Sequence, residues 1–166
     1  LGMMQIQSLT LSNETDQFAN MRWTPNHAVT AITNPITVDH TILRQHLLPG
    51  LLKLLATNRH HDLPQAVYEL GTVVRDHHNE DRLAFLTAER SGGFAAVRGR
   101  IQALCNDLGI EDWKAEPLED GDGPWLAGRG AKLVVNGQWI GCFGELDPSV
   151  AMHYDLRVPL NGAEVD

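Results

Sequence analysis

Polar and apolar residues alternate from Gln5 to Leu11, the period of a half-buried strand. Ser12 or Asn13 then stands where it can cap a short helix with an acidic start, around Glu14 to Met21. Ala28 to Thr33 is a second β-branched run, closed by Asn34-Pro35. From Leu47 the period changes. Leu48, Leu51, Leu52 and Leu55 recur at three and four residues, Pro49 falls where a first helical turn tolerates proline, and Asn58 lies near the end. That spacing predicts an amphipathic helix whose leucines enter the core. Ala66 to Val74 and Leu83 to Glu89 read as paired strands across a polar linker, Asp76 to Arg82. Phe94, Val97, Ile101, Leu104, Cys105 and Leu108 trace one helical face that Gly109 can end. An acidic, glycine-containing loop at Glu119 to Gly123 precedes the clearest hairpin. There Lys132 to Val135 and Trp139 to Leu146 flank Asn136-Gly137, a pair suited to a type I′ turn. Pro148 opens one more short helix, and Val158 to Val165 reads as a last strand. Helices set against hairpin-linked strands predict an α+β fold with a mostly antiparallel β-sheet flanked by helices. No internal repeat and no low-complexity tract interrupts the pattern.

Composition narrows the class. The 166 residues are 43% hydrophobic and 20% charged, as in one ordinary globular domain. A chain of this length buries roughly 70% of its unfolded surface, so it needs neither metal nor disulfide to fold. Cys105 and Cys142 are too few for a disulfide framework and suit a reducing, cytoplasmic setting as small buried apolar side chains. The net charge of −8 argues against nonspecific phosphate binding, which needs Lys and Arg to displace counterions. No run of about 18 apolar residues is present to span a membrane. The chain ends at Asp166 inside a strand-like stretch and reads as a fragment of a longer protein, with residues 1–166 as a single domain.

Candidate chemistry is sparse. His60-His61-Asp62 and Asp76-His77-His78 bunch possible metal ligands, yet neither has a ligand spacing such as His-x-x-x-His, and both are expected in solvated loops. No metal site is assigned. No Gly-x-Ser-x-Gly elbow occurs, and Cys105 falls on a buried helical face. Ser91-Gly92-Gly93 precedes a helix but matches neither the dinucleotide nor the P-loop pattern, so a turn leading into a helix is the simpler reading. The residues by themselves describe an α+β domain without a visible active site.

Several segments taken in order resemble the β subunit of phenylalanyl-tRNA synthetase, particularly its archaeal and eukaryotic type. Asn34-Pro35 followed by Leu43-Arg44-Gln45-His46-Leu47-Leu48-Pro49-Gly50-Leu51-Leu52 looks like that family's Asn-Pro and Leu-Arg-x-x-Leu-Leu-Pro-x-Leu-Leu stretch. Val67-Tyr68-Glu69-Leu70-Gly71-Thr72-Val73-Val74 is similar to its Phe-Glu-Ile-Gly-Asp-Val strand. Gly128-Arg129-Gly130-Ala131 and Gly141-Cys142-Phe143-Gly144-Glu145-Leu146-Asp147-Pro148 match its Gly-Arg-Ser-Ala and Gly-x-x-Gly-Glu-x-x-Pro patterns.

The resemblance implies a class II aminoacyl-tRNA synthetase-like core, in a copy that has lost the active site carried by the α subunit. It implies a non-catalytic assembly domain within an α2β2 heterotetramer, which joins phenylalanine to tRNA(Phe) using ATP and Mg2+. No cofactor is expected for this domain itself. ATP-binding cores of this class place an arginine just after the first strand of their second motif, and another in a Gly-x-Glu-Arg-like third motif. Arginine suits the task because its planar fork grips phosphate bidentately. Arg75 stands close to the first position and is the vestigial nucleotide-site candidate; Val165 follows Gly162-Ala163-Glu164, so the second is lost. A solvated or ion-paired strand end is the plainer expectation for Arg75. Structural or interface roles are expected for Asn34, Pro35, Arg44, Leu48, Pro49, Leu51, Leu52, Glu69, Gly71, Arg129, Gly144 and Glu145. Arg44 and Arg129 are read as partners of carboxylates within the domain or across to the α subunit. Gly71, Gly128, Gly141 and Gly144 are read as positions of unusual backbone angle or close approach at strand ends. Two alternatives are a tRNA-contacting module and a stand-alone nucleotide-binding enzyme derived from a class II core.

Overall fold

A computed structural model describes residues 2–119 and 121–166. Asp120, in the acidic loop expected from Glu119 to Gly123, lies outside the described residues, as does Leu1. The sheet strands are β1 (Met4–Gln5), β4 (Gln65–Arg75), β5 (His78–Ala88), β6 (Trp113–Pro117), β7 (Trp125–Val135), β8 (Gln138–Leu146) and β9 (Leu160–Val165). They form a seven-stranded sheet in the order β1-β4-β5-β9-β8-β7-β6. Every neighbouring pair is antiparallel except β1 and β4, which run parallel at one edge. A second, two-stranded sheet pairs β2 (Leu11–Ser12) with β3 (Ile42–Leu43). The helices are α1 (Leu48–Thr57), α2 (Phe94–Asp107) and α3 (Pro148–His153). The α+β class with a mostly antiparallel sheet is therefore as the sequence predicts.

Period-two alternation lets the sheet bury both faces. On one face Val67, Val73, Ala84, Leu86 and Leu160 pack against Leu48, Leu51, Leu52 and Leu55 of α1 and against α3. On the other, Phe85, Phe143, Ala163 and Val165 pack against Val97, Ile101 and Cys105 of α2. The four α1 leucines are at most 2% exposed, so they belong to the core, each worth about 2–5 kcal/mol against alanine. Among the described residues no helix is long and apolar enough to cross a membrane.

Several local expectations are corrected. Gln5 to Leu11 is not one strand: β1 and β2 occupy its ends, and the chain between them turns so that Ser8 meets Glu69 across the sheet. The helix expected at Glu14 to Met21 is a single π-helical turn, Thr15–Ala19. Asn13 caps it, its side-chain oxygen accepting from Asp16 N at 2.9 Å. Ala28 to Thr33 forms only an isolated bridge, Ala31 to Ile42. Residues 78 to 82 are not linker but the first half of β5. The turn is Asp76-His77 alone, with φ of 50° and 65°, the left-handed pair that a type I′ hairpin needs. Asp and His are tolerated there less readily than Asn-Gly, so the sequence signal was weak. The Asn136-Gly137 turn adopts the same geometry, φ 51° and 78°, as expected. Strand β6, with only one fully apolar alternation, was not foreseen.

Candidate functional site

The singled-out residues sort into two groups, those that tie elements together and those that line a cavity. Glu69 and Arg44 belong to the first. Both are buried, and Arg44 Nη1 donates to Glu69 Oε1 at 2.8 Å. Ser8 completes the cluster, donating from Oγ to Glu69 Oε2 at 2.6 Å and accepting from Arg44 Nη1 at 2.7 Å. Arg44 Nε also reaches Thr72 O at 2.9 Å. A Cβ on Gly71 would stand 2.6 Å from Arg44 Nη2 and 2.9 Å from Glu69 Oε1, so the Glu69-Leu70-Gly71 pattern leaves room for the guanidinium. This cluster ties the segments that follow β1 and β3 to β4, and it lies wholly within the chain.

Carboxylates also hold each helix start, where backbone N–H groups lack intrahelical partners. Glu145 Oε1 accepts from Phe94 N at 2.7 Å, fixing α2, while exposed Arg129 reaches the same oxygen at 3.4 Å. Asp147 caps α3 by accepting from Ser149 N at 2.8 Å, and the Arg22 side chain holds its carboxyl below the usual range. Glu164 serves α1 from 116 residues away, accepting from Leu47 N and Leu48 N, both at 3.0 Å. Pro49 sits in the first turn of α1 as predicted. Gly144 lies inside β8 rather than at a strand end. A Cβ there would press on the Arg129 carbonyl and lie 2.8 Å from Gly130 Cα, so the role is close approach of β7. Asn34 before Pro35 adopts φ 57°, leaving the right-handed helical region by way of the left-handed one, in an exposed turn.

Of the two states expected for Arg75 at the end of β4, the structure has the ion-paired one, with Glu80 near its Nη1, rather than the solvated one. Arg75 lines a cavity of about 280 Å³ between the end of the sheet and the segment before α1, with Trp23, His46, Arg82, Trp125, Trp139 and Glu164. Its side chain is 11% exposed. Arg75 Nε donates to Gln45 O at 3.2 Å, Nη2 lies 3.4 Å from His46 Nδ1, and Glu80 is 3.7 Å from Nη1. Burial and the neighbouring Arg82 push the Arg75 guanidinium below its ordinary value. Glu164 is the cavity's buried anion. Arg82 Nε lies 3.0 Å from its Oε1, at an angle too bent for a hydrogen bond, and His46 Nδ1 lies at 3.2 Å from the same oxygen. Burial alone would raise the Glu164 carboxyl. His46, Arg82 and the Leu48 N–H more than reverse that and hold it at about 2. Burial dominates for His46 itself, whose pKa falls below 6.5 despite Glu164, so at neutral pH its imidazole supports the carboxylate as a neutral group. Trp23 stacks on that imidazole, ring centroids 3.9 Å apart. Cys142, half-buried rather than fully buried, also lines the cavity, and burial pushes its thiol up to about 11.

The two histidine clusters stay apart in role. The rings of His60 and His61 touch at a tilt, centroids 4.3 Å apart, whereas Asp76 accepts from Ala28 N and pairs with His27, and His77 bonds Thr30. Among the described residues no three His, Cys, Asp or Glu side chains converge as a metal site requires.

A family model described as the phenylalanyl tRNA synthetase beta chain CLM domain matches residues 1–166, the whole chain. The chain belongs to that family. It is similar to the phenylalanine–tRNA ligase beta subunit of Methanothrix thermoacetophila, 37% identical over 166 residues, covering 100% of this chain and 30% of that protein. The beta subunit of Archaeoglobus fulgidus is 36% identical over 168 residues, with 100% and 30% covered, and that of Methanopyrus kandleri 34% over 170, with 98% and 28%. The chain thus spans about 30% of the length of these relatives. The β-subunit family of archaeal and eukaryotic type, expected from the ordered motifs, is borne out by these archaeal relatives. In this chain the motif residues Arg44, Glu69, Gly71, Gly144 and Glu145 sit at joints between elements, whereas Arg75 lines the cavity. Sequence reasoning missed Arg82, Glu164 as a ligand of α1, and the three tryptophans, because their meeting depends on strand order.

Proposed function

We propose that residues 1–166 form one catalytic-core-like domain of class II type in the phenylalanyl-tRNA synthetase β subunit. It performs no adenylation and acts as an assembly partner of the α subunit in an α2β2 enzyme. That whole enzyme, with ATP and Mg2+, charges tRNA(Phe) with phenylalanine in the cytoplasm. The observation that carries this reading is Glu164. It places a buried carboxylate inside the cavity of Arg75, engaged by the first N–H groups of α1 and by Arg82. Val165 packs on the α2 face, so no second cation enters from that position. Asp166 pairs with Arg82 at the same cavity. Two carboxylates beside two guanidiniums do not suit a triphosphate, whose binding needs a surplus of cationic donors. An antiparallel sheet with one parallel edge strand agrees with a class II-like core. Ile36 and Val38, 102% and 82% exposed, with Leu9 and Leu11 at 67% and 39%, supply apolar surface of the kind that interfaces cover.

Calorimetry with ATP, Mg2+ and phenylalanine tests the first half, and co-purification with the α subunit the second. No heat at millimolar ATP is expected, and Ile36→Asp with Val38→Asp should release the α subunit without unfolding the chain. Stoichiometric ATP binding that Arg75→Ala abolishes would overturn the reading.

A further inference from the structure

The large sheet ends in two unlike edges. At one, β1 offers two residues; at the other, β6 runs for five, Trp113–Pro117, with β7 on one side. Among the described residues no strand lies on its other side. An open edge of that length presents unpaired N–H and C=O groups to any strand that approaches. The direction of those groups follows from the register. Asn136 N donates to Asp112 O at 2.9 Å, and Trp113 to Pro117 pair in order with Val135 to Ala131. Backbone groups alternate sides along an antiparallel strand, so Lys114 and Glu116 turn theirs to β7. Trp113 and Ala115 turn theirs outward, and Pro117, which lacks an N–H, turns out only its carbonyl.

These five residues are complementary to their own reverse. Laid antiparallel about Ala115, a second β6 sets Ala115 against Ala115, Trp113 against Pro117 and Lys114 against Glu116. The two alanines then exchange a pair of N–H···O bonds, and each Trp113 N–H meets a Pro117 carbonyl. Proline removes only one donor at each end of the seam. Side chains match on both faces. Trp113 and Ala115 lean on the α2 side of the core, and there each indole meets the pyrrolidine ring of the second copy. A groove of about 640 Å³ between α2 and β6 leaves that side of the seam open. Lys114 and Glu116 are exposed on the opposite face, and among the described residues neither is held in an ion pair within the chain. Lys132 stands opposite Glu116 in β7, but its Nζ rests over the Trp139 ring at 5.0 Å. Across the seam the charges alternate as Lys132, Glu116 and Lys114 of the second copy, the order that cross-strand pairing favours.

We propose that β6 is a self-pairing edge, which joins two copies of this chain about a two-fold axis at Ala115 into one continuous antiparallel sheet. The contact needs neither the α subunit nor ATP, so it stands apart from the assembly reading. The test is sedimentation velocity over a dilution series, on the full-length protein that carries this chain, purified without the α subunit. A monomer–dimer equilibrium is expected. Lys114→Glu sets glutamate against glutamate at two symmetric places and should weaken the dimer about tenfold or more. Adding Glu116→Lys to it restores opposite charges in reversed order and should return the affinity to within about threefold of the parent. Ala115→Pro removes the two central donors but no bond to β7, so it should abolish the dimer and leave the far-UV circular dichroism unchanged. A monomer at every concentration would mean that Lys114 and Pro117 blunt the edge, and would overturn the proposal. So would a dimer as tight in Lys114→Glu as in the parent, or no recovery in the double variant.

Discussion

Replacing Glu164 with glutamine should loosen α1 from the sheet and change the acid stability of the chain. The carboxylate accepts from Leu47 N and Leu48 N at 3.0 Å and faces Arg82 Nε at 3.0 Å and His46 Nδ1 at 3.2 Å. Glutamine keeps one oxygen, but its amide must point at either the helix donors or Arg82, and every group there is a donor. The drop of the Glu164 carboxyl from 4.5 to about 2 corresponds to about 3 kcal/mol of preference for the charged form. Leaving Arg82, 7% exposed, without its buried partner costs about 3–5 kcal/mol by analogy with broken buried pairs. Both routes give a loss of about 3 kcal/mol at pH 7. Because the folded carboxyl titrates below the unfolded one, its stabilisation is complete above about 4.5 and vanishes as pH falls toward 2. His46 acts in the same direction. Its folded pKa lies under 6.5, so below that pH protons bind the unfolded chain more readily, and stability falls with pH. Urea unfolding across pH 7 to 2, run on the parent and Glu164→Gln, separates the two. The gap between them should be widest above pH 4.5 and close toward pH 2. A loss under about 1 kcal/mol at pH 7, or a gap that does not narrow in acid, would refute the assignment of Glu164 as the anchor of α1.

Arg44→Ala should cost about 3–5 kcal/mol, because it strands Glu69, which is fully buried, without its cation. A double-mutant cycle with Glu69→Gln should show a coupling above about 1 kcal/mol, and strict additivity would contradict the geometry. Gly144→Ala should destabilise by about 2 kcal/mol or more, since the new Cβ meets backbone of β7 rather than a movable side chain. A thermal midpoint unchanged within error would count against the close approach.

Much of the architecture is written locally. The leucine spacing of α1 is enough to place a helix because only one face can be apolar, and Asn136-Gly137 fixes its hairpin because few residues tolerate left-handed backbone. The ordered motifs Leu43 to Leu52, Val67 to Val74 and Gly141 to Pro148 were also enough to identify the family. What those motif residues do was less legible. Arg44 and Glu69 lie 25 residues apart, and nothing in their spacing says that they pair. The Asp76-His77 turn was hidden inside what looked like a polar linker, because strand residues 78 to 82 are all polar and carry no hydrophobic alternation.

The cavity is the furthest from the sequence. Trp23, His46, Arg75, Trp125 and Glu164 come from five separate segments, brought together because β9 inserts between β5 and β8 and the chain before α1 folds over that junction. The sequence by itself determined the helices, the hairpins and the family, since propensity, turn chemistry and period act over a few residues. Only the tertiary structure decided which carboxylate caps which helix and which cation it meets there, because burial and charge pairing depend on neighbours in space.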